Sequence, residues 1–322
     1  MGPQPVEKIQ RSAQVTPDLA GRRLDQAAAA LFEGFSRSRL QEWIRSGALR
    51  VDGNVARPRD RVRGTEELSL DAEPEREVEA GAEDLALEPL YCDEHLMVLD
   101  KPAGLVVHPA AGHASGTLLN GLLALDPALE RLPRAGIVHR LDRDTTGLMV
   151  VARSLQAHAG LVEQLQRRTL GREYLAIAAG VLTGGGSVDA PIGRHPVDRK
   201  RMAVREGGRE AVTHYRLEER FRGHTLLRVH LETGRTHQIR VHMAHLLHPL
   251  VGDPVYGGRP RFPAGATEAL RTALQRFRRQ ALHAAALRLE HPVTGESLRF
   301  DAPLPEDFTR LLAVLRADQE AS

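Results

Sequence analysis

The sequence has one cysteine, Cys92, in 322 residues. That excludes an internal disulfide and a cysteine-rich zinc site. Aromatic residues make up 4% of the chain, which argues against a platform that stacks single-stranded bases. No apolar run reaches the roughly 18 residues of a membrane-spanning helix, and Met1 to Arg11 lacks the apolar core of a secretory signal. A cytoplasmic protein with no membrane partner is expected. There is no nucleotide-binding fingerprint either, so no nucleotide cofactor is expected.

What is present is the composition of a globular protein, 42% hydrophobic and 27% charged. Its length allows two domains, or one large domain with an appendage. The net charge of +2 hides an asymmetry. Between Asp71 and Glu88 stand eight acids and one arginine, a local charge of −7 that leaves +9 for the rest. A basic body with arginine clusters suits an anionic partner, nucleic acid being the usual one; a solvated arginine-rich surface fits the composition as well.

Residues 18–70 read as a self-contained unit. Leu24, Ala27, Ala28, Leu31 and Phe32 recur at helical spacing, and Gly34 ends the run. Ser36 suits the N-cap of a second helix with Leu40, Trp43 and Ile44 on its apolar face and Gly47 at its end. Arg37, Arg39 and Arg45 lie off that face. Leu49 and Val51 start a strand, Asp52-Gly53 makes a tight hairpin turn, and Val55 resumes. Arg57, Arg59, Arg61 and Arg63 would then share one face of an extended chain, a surface suited to phosphates. The acidic segment that follows, with Pro74, Gly81 and Pro89, reads as a linker.

From Leu90 the pattern becomes one of short strands with few helices. Strands are expected at 96–99, 105–107, 148–152, 174–178 and 226–231, with a hairpin of 284–289 and 298–300 around Thr294-Gly295-Glu296. The helix at 117–125 is apolar enough to be buried. This irregular mixture implies an α+β fold and not a parallel βαβ series.

Four constellations could carry chemistry. The first is 136–152, where His139-Arg140-Leu141-Asp142-Arg143-Asp144 stands between glycines and runs into an apolar strand. Charged groups held there are costly unless paired or used, although a polar turn is the simpler reading. A kinase catalytic loop does not fit, because Leu141 separates the arginine from the aspartate and the other kinase elements are missing. The second is 231–243, where a strand ends at Thr233-Gly234 and a helix starts, with Arg235 at the junction suited to an anion. His237, His242, His245 and His248 lack the acidic residue that a zinc-protease pattern requires, so no metal is expected. The third is Arg172-Glu173-Tyr174, whose tyrosine reads as core. The fourth is the basic loop 194–202, a phosphate contact or a solvated loop.

Two resemblances join these pieces. Residues 39–47 with Val51-Asp52-Gly53 resemble the S-four-like RNA-binding module. The order of 139–142, 145–148, 172–174 and 234–240, with 252–257 and 282–284, is similar to the RluA family of pseudouridine synthases. Within that family, 107–113 and 133–138 look most like the RluD type, which acts on the helix 69 hairpin of large-subunit ribosomal RNA. The implied domains are an S-four-like RNA-binding domain at 17–75, an acidic linker at 76–89 and a catalytic domain at 90–315. The catalytic domain would carry a large mixed, mainly antiparallel sheet, and the N-terminal module would be small and α/β.

The resemblance implies the site as well. Asp142 would be the catalytic carboxylate, and Arg235 would orient it. Tyr174 would stack on the target base. Leu250 or Val251 would supply an apolar wall, and Arg140 would enter the RNA as the nucleotide flips out. His139, Arg37, Arg39 and Arg45 join Arg140 and Leu250 as expected substrate contacts. The isomerisation needs no redox cofactor, group donor or metal, and a monomer acting on ribosomal RNA or its assembly intermediates is expected. A non-catalytic RNA-binding assembly factor and a metal-dependent hydrolase are the rival readings.

Overall fold

In the N-terminal unit, Leu68, Leu70 and Ala72 alternate with more exposed residues, as a strand covered on one face must. A computed structural model describes residues 9–32, 35, 37–72, 81–109, 115–198 and 201–321. Gly34, Ser36, residues 73–80 with Pro74, residues 110–113, Arg199 and Lys200 lie outside them. The described chain falls into two compact units, Met1–Glu77 and Val78–Ser322.

The first unit is a three-stranded antiparallel sheet under two helices. Its strands are β1 (Ile9–Gln14), β2 (Leu49–Val51) and β3 (Glu67–Ala72), in the order β1-β3-β2. Helices α1 (Leu24–Leu31) and α2 (Arg37–Ser46) cover it, with Leu24, Ala28, Leu40 and Ile44 in the core. Asp52 and Gly53 form the expected tight turn at φ 48° and 76°. The strand after the turn is a different one from that expected. Val55 is exposed, and β2 pairs with β3 from beyond the arginines. The alternating arginines do not share one extended face. Asp60 accepts from the Arg57 N–H and donates back to the Arg57 carbonyl, which turns the chain at Pro58-Arg59.

The second unit is built on a nine-stranded sheet. Its strands are β4 (Pro89–Cys92), β5 (Leu96–Lys101), β6 (Thr146–Ala152), β7 (Gly171–Ala179), β8 (Gly186–Asp189), β11 (Val212–Arg220), β12 (His224–Leu231), β13 (Leu282–Glu290) and β14 (Ser297–Asp301). Strands β9 (Ile192–Arg194) and β10 (Met202–Val204) form a separate hairpin. The sheet order is β4-β5-β6-β13-β7-β12-β11-β8, with β14 beside β13. Only the β6–β13 pair is parallel, so the sheet is mixed and mainly antiparallel, in an α+β fold.

Both faces of the β5–β6 region are buried, which is why these strands read as continuous apolar runs. Met97, Leu99, Met149 and Val151 pack with α3 (Leu118–Leu125), whereas Leu96, Val98, Leu148 and Val150 pack with α4 (Leu155–Gln166). Three more helices, α5 (Gln238–His245), α6 (Glu268–Arg276) and α7 (Glu306–Glu320), complete the unit.

The linker expected at 76–89 ends earlier than its composition implies. Asn120 donates to the Gly81 carbonyl, and the Glu83 N–H donates to the Asn120 carbonyl. Glu83 accepts from the Gly116 N–H, and Leu85 and Leu87 lie against Gly121 of α3. Leu85 and Leu87 alternate with the exposed Asp84, Ala86 and Glu88, so 81–88 binds the second unit as an arm despite its charge.

Candidate active site

The loop that carries Asp142 is pinned at both ends by glycines that no other residue could replace without movement. At Gly136 (φ 78°) a Cβ would lie 1.9 Å from the Ala152 carbonyl oxygen, and at Gly147 (φ 110°) one would lie 2.3 Å from that of Ala284. Between them the loop is held from several sides. The Thr145 N–H donates to the Asp142 carbonyl at 3.0 Å, and Gln280 donates to the Thr145 hydroxyl. Arg279 donates to the Asp144 carbonyl, while the Asp144 carboxylate pairs with Arg143. Asp144 therefore shapes the loop.

Lys101 comes from the opposite side and is 1% exposed. Its ammonium donates to the carbonyls of Pro102, Leu105 and Arg143 at 2.6, 3.0 and 2.8 Å, which uses its three N–H bonds. Burial pulls its pKa down to about 8, against the opposing influence of Asp144 and Asp142. Lys101 was not singled out from sequence; the signal available was a lysine closing a buried strand.

His139 faces the fold. Its Nε2 accepts from the Val150 N–H at 3.1 Å, and burial, helped by Arg172, lowers its pKa to about 3. The neutral ring fastens the loop to β6, so His139 does not take the expected place at the RNA-facing surface. Arg140 next to it is exposed, with no partner among the described residues.

The carboxylate of Asp142 meets α5. Arg240 Nη1 donates to Asp142 Oδ2 at 3.0 Å. The same guanidinium bonds Asp253 at two points, Nε to Oδ2 at 2.7 Å and Nη2 to Oδ1 at 2.9 Å. Burial works against the charge of Arg240, but Asp253 and then Asp142 outweigh it and hold its pKa above the usual value. Burial also opposes the charge of Asp253, yet Arg240 and the N–H groups of Tyr256 and Val255 keep its pKa low.

This corrects the pairing expected for Arg235. The Arg235 side chain donates to the Glu210 carbonyl at 2.8 Å, and the partner of Asp142 is Arg240. The reason lies in the helix start. Gln238 accepts from the Arg235 N–H and the Thr233 hydroxyl, and donates to Val212 O and Thr213 Oγ1. That anchors Arg235 before the helix beside β11, while Arg240 lies within α5 and is buried. A buried arginine needs carboxylates, and Asp253 is its second one.

His237 closes the other side of the carboxylate. It stands just before α5 at φ 57°, a left-handed conformation uncommon outside glycine. Its Nδ1 shares a hydrogen bond with the Tyr256 hydroxyl at 2.8 Å, and its Nε2 lies 3.9 Å from Asp142 Oδ1. Burial lowers its pKa, and Arg240 adds to this against the pull of Asp142. Neither His237 in this role nor Tyr256 was singled out from sequence.

Tyr174 lies on β7 opposite Ala284 of β13, which in turn pairs with Gly147 at the start of β6. It is buried in the cluster that also holds Leu141, Ile239, Met243 and Leu250. Burial, and then Asp142 against the opposing Arg172, raises its pKa, so the phenol keeps its proton. Leu250 is fully core, and Val251 belongs to a different cluster. Two other histidines are used up by the fold, His242 between Thr213 Oγ1 and the Ala190 carbonyl, and His248 on the Ala179 carbonyl. Of the basic loop, Arg194 and Met202 pair in the β9–β10 hairpin, and His195 Nδ1 accepts from the Val197 and Asp198 N–H groups.

In the first unit, Arg37 is committed to a buried acid. Asp25 is fully buried and accepts from Arg23, Arg37 and Gln41. Burial would raise its pKa, but these three donors hold it below the usual value. Arg39 lies over the Trp43 ring with its guanidinium carbon 5.9 Å from the centroid, and Arg45 makes a long contact to Gln41.

Residues 95–245 match the family model of RNA pseudouridylate synthases, and residues 22–68 match that of the S4 domain. A protein of Pseudomonas aeruginosa named ribosomal large subunit pseudouridine synthase D is 60% identical over 315 residues, 98% of each chain. Proteins of the same name from Xanthomonas campestris and Escherichia coli K12 are 57% and 54% identical over 98% of this chain, covering 95% and 97% of theirs. The solved structure of human RNA pseudouridylate synthase domain containing 4 is similar at 27% identity and a TM-score of 0.55, covering 71% of this chain and 92% of that one.

Proposed function

The chain belongs to the pseudouridine synthase family and is an RNA-modifying isomerase, and from that premise we propose that it converts uridines of large-subunit ribosomal RNA to pseudouridine, those of the helix 69 hairpin in particular, with Asp142 as the reactive carboxylate. The relatives named for the large ribosomal subunit support the substrate class. The similarity of 107–113 and 133–138 to the RluD type supports the hairpin.

The observation that carries the chemistry is the state of Asp142. One oxygen is tied to a buried arginine; the other accepts no hydrogen bond among the described residues, with His237 Nε2 3.9 Å away, and the side chain stays 18% exposed. An exposed surface carboxylate would not need a buried guanidinium, and a purely structural one would have both oxygens bound.

The reaction breaks the bond between uracil N1 and ribose C1′, turns the base, and forms the bond between C5 and C1′. The proton lost from C5 is balanced by the one gained at N1. Asp142 Oδ1 supplies the nucleophile or base, Arg240 fixes the carboxylate, and Tyr174 offers a protonated phenol in the same pocket. The target nucleotide must leave its stack to reach a carboxylate at the foot of a sheet; flipping costs a few kcal/mol. Exposed Arg140 beside the loop is suited to fill the space it vacates.

The test is pseudouridine mapping of large-subunit RNA from cells lacking the protein, complemented by wild type or Asp142→Asn. Loss of hairpin pseudouridines restored only by wild type is the expected result. Restoration by Asp142→Asn would overturn the assignment of the carboxylate, and unchanged hairpin pseudouridines would overturn the substrate.

A further inference from the structure

Asp142 has one oxygen fixed by Arg240 and one that accepts no hydrogen bond among the described residues. His237 Nε2 lies 3.9 Å from that second oxygen, and its ring is held from the other side. The Tyr256 hydroxyl accepts from the Met202 N–H at 2.9 Å and shares its second bond with His237 Nδ1 at 2.8 Å. With one lone pair taken by Met202, the hydroxyl proton is free to go to Nδ1, which leaves the imidazole proton on Nε2. The negative oxygen 3.9 Å from Nε2 favours the same tautomer. The Tyr256 ring is itself flanked by the guanidinium carbons of Arg240 and Arg201, at 5.1 and 5.3 Å from its centroid.

The backbone supports the same reading. A histidine in the left-handed region is uncommon, and such conformations cluster where structure serves a site. Here it turns the side chain at the head of α5 towards the carboxylate in place of the helix surface. A donor slightly beyond reach in the unbound enzyme is common, because such contacts tighten when substrate arrives.

We propose that His237 is a positioning residue for Asp142: its Nε2–H closes onto Oδ1 when the nucleotide binds and sets the rotation of the carboxylate, with Tyr256 holding the ring and linking it to the β9–β10 hairpin. Arg240 then fixes one oxygen and His237 aims the other. This rests on the reading of Asp142 as the reactive carboxylate.

The test compares two side chains of similar length at one position. His237→Gln keeps an N–H donor, and His237→Met lacks one, while both meet the same backbone conformation. Single-turnover pseudouridine formation and RNA dissociation constants are measured for each on a transcribed hairpin. Removal of an aligned donor typically costs about 10²-fold or more, so His237→Met should lose about that much. His237→Gln should retain a rate at least tenfold above it, with RNA affinity unchanged in both. Equal rates for the two variants would overturn the proposal. Should neither fold, as read by thermal melting, Tyr256→Phe decides: it should slow the step about tenfold without weakening RNA binding, a modest share of the donor effect, and a wild-type rate would overturn the tether. Asp142→Asn in the same assay separates the two readings. If it is inactive while His237→Met is fully active, only the role of His237 fails; if it is active, the reading of Asp142 fails.

Discussion

Arg240 and Asp253 meet at two points, 2.7 and 2.9 Å apart, while Nη1 of the same guanidinium donates to Asp142. The pair is thus a fixed mount for the Asp142 carboxylate, the group proposed to react. A lysine could not replace it, because an ammonium is a point charge and the mount depends on a planar fork.

Substitution should separate Arg240 from Arg235 sharply. Arg240→Met leaves Asp253 buried without its partner, which typically costs about 3–5 kcal/mol, and it should reduce turnover by at least about 10²-fold. Arg235→Met removes one bond to a carbonyl at a half-exposed position, and stability should change by no more than about 1 kcal/mol. Urea melts and single-turnover assays on the two variants check this. Equal loss of activity would return the carboxylate's partner to Arg235.

Lys101 makes a pH prediction with a definite sign. Its pKa is about 8 in the folded chain against the ordinary 10.5. Between those values the unfolded chain holds a proton that the folded chain has released, so this group's contribution to stability rises with pH across that window. The gap corresponds to about 3 kcal/mol as an upper figure. The difference in unfolding free energy between wild type and Lys101→Met should therefore grow from pH 8 to pH 10.5 in urea melts. A flat difference would mean that the three carbonyls fully offset the burial.

Much of this was readable from the residues, for physical reasons that differ by position. The apolar runs of β5 and β6 announce a sheet buried on both faces, and Asp52-Gly53 announces its turn, because both signals are local. The pairing of β2 with β3 was not readable, since fifteen intervening residues and a turn at Pro58 decide it. Nor was Arg240. It and Arg235 are five residues apart with the same charge, and only the anchoring of Gln238 on Thr213 shows which one lies inside the helix facing Asp142. Arg37 illustrates the opposite limit. Its helical position off the apolar face suggested RNA, but buried Asp25 already holds it. Charge on a surface helix tells nothing about partners from elsewhere in the chain.

His139 predicts acid sensitivity. Its pKa is about 3 when folded against the ordinary 6.5, so below pH 6.5 the unfolded chain takes up a proton that the folded chain refuses. The resulting loss approaches about 1.4 kcal/mol per pH unit. From pH 7 to pH 5 wild type should lose about 2 kcal/mol more than His139→Gln, which lacks the titrating ring but keeps an acceptor for the Val150 N–H. Melting curves at both values test it. A parallel decline of the two proteins would show that another group sets the acid limit.

Arg140 should report on RNA contact alone. It is exposed on the Asp142 loop, and its charge helps to lower the pKa of both His108 and His237. A cation that meets a phosphate releases counterions, so removing it should lower the slope of log affinity against log salt by about 0.7–0.9. Arg140→Ala should show that change, with weaker binding at low salt and convergence towards wild type as salt rises. Asp142→Asn should leave the slope as it is or raise it slightly, because it removes a negative charge. If Arg140→Ala instead binds with the wild-type slope yet turns over slowly, the side chain only fills the space left by the flipped nucleotide and makes no phosphate contact.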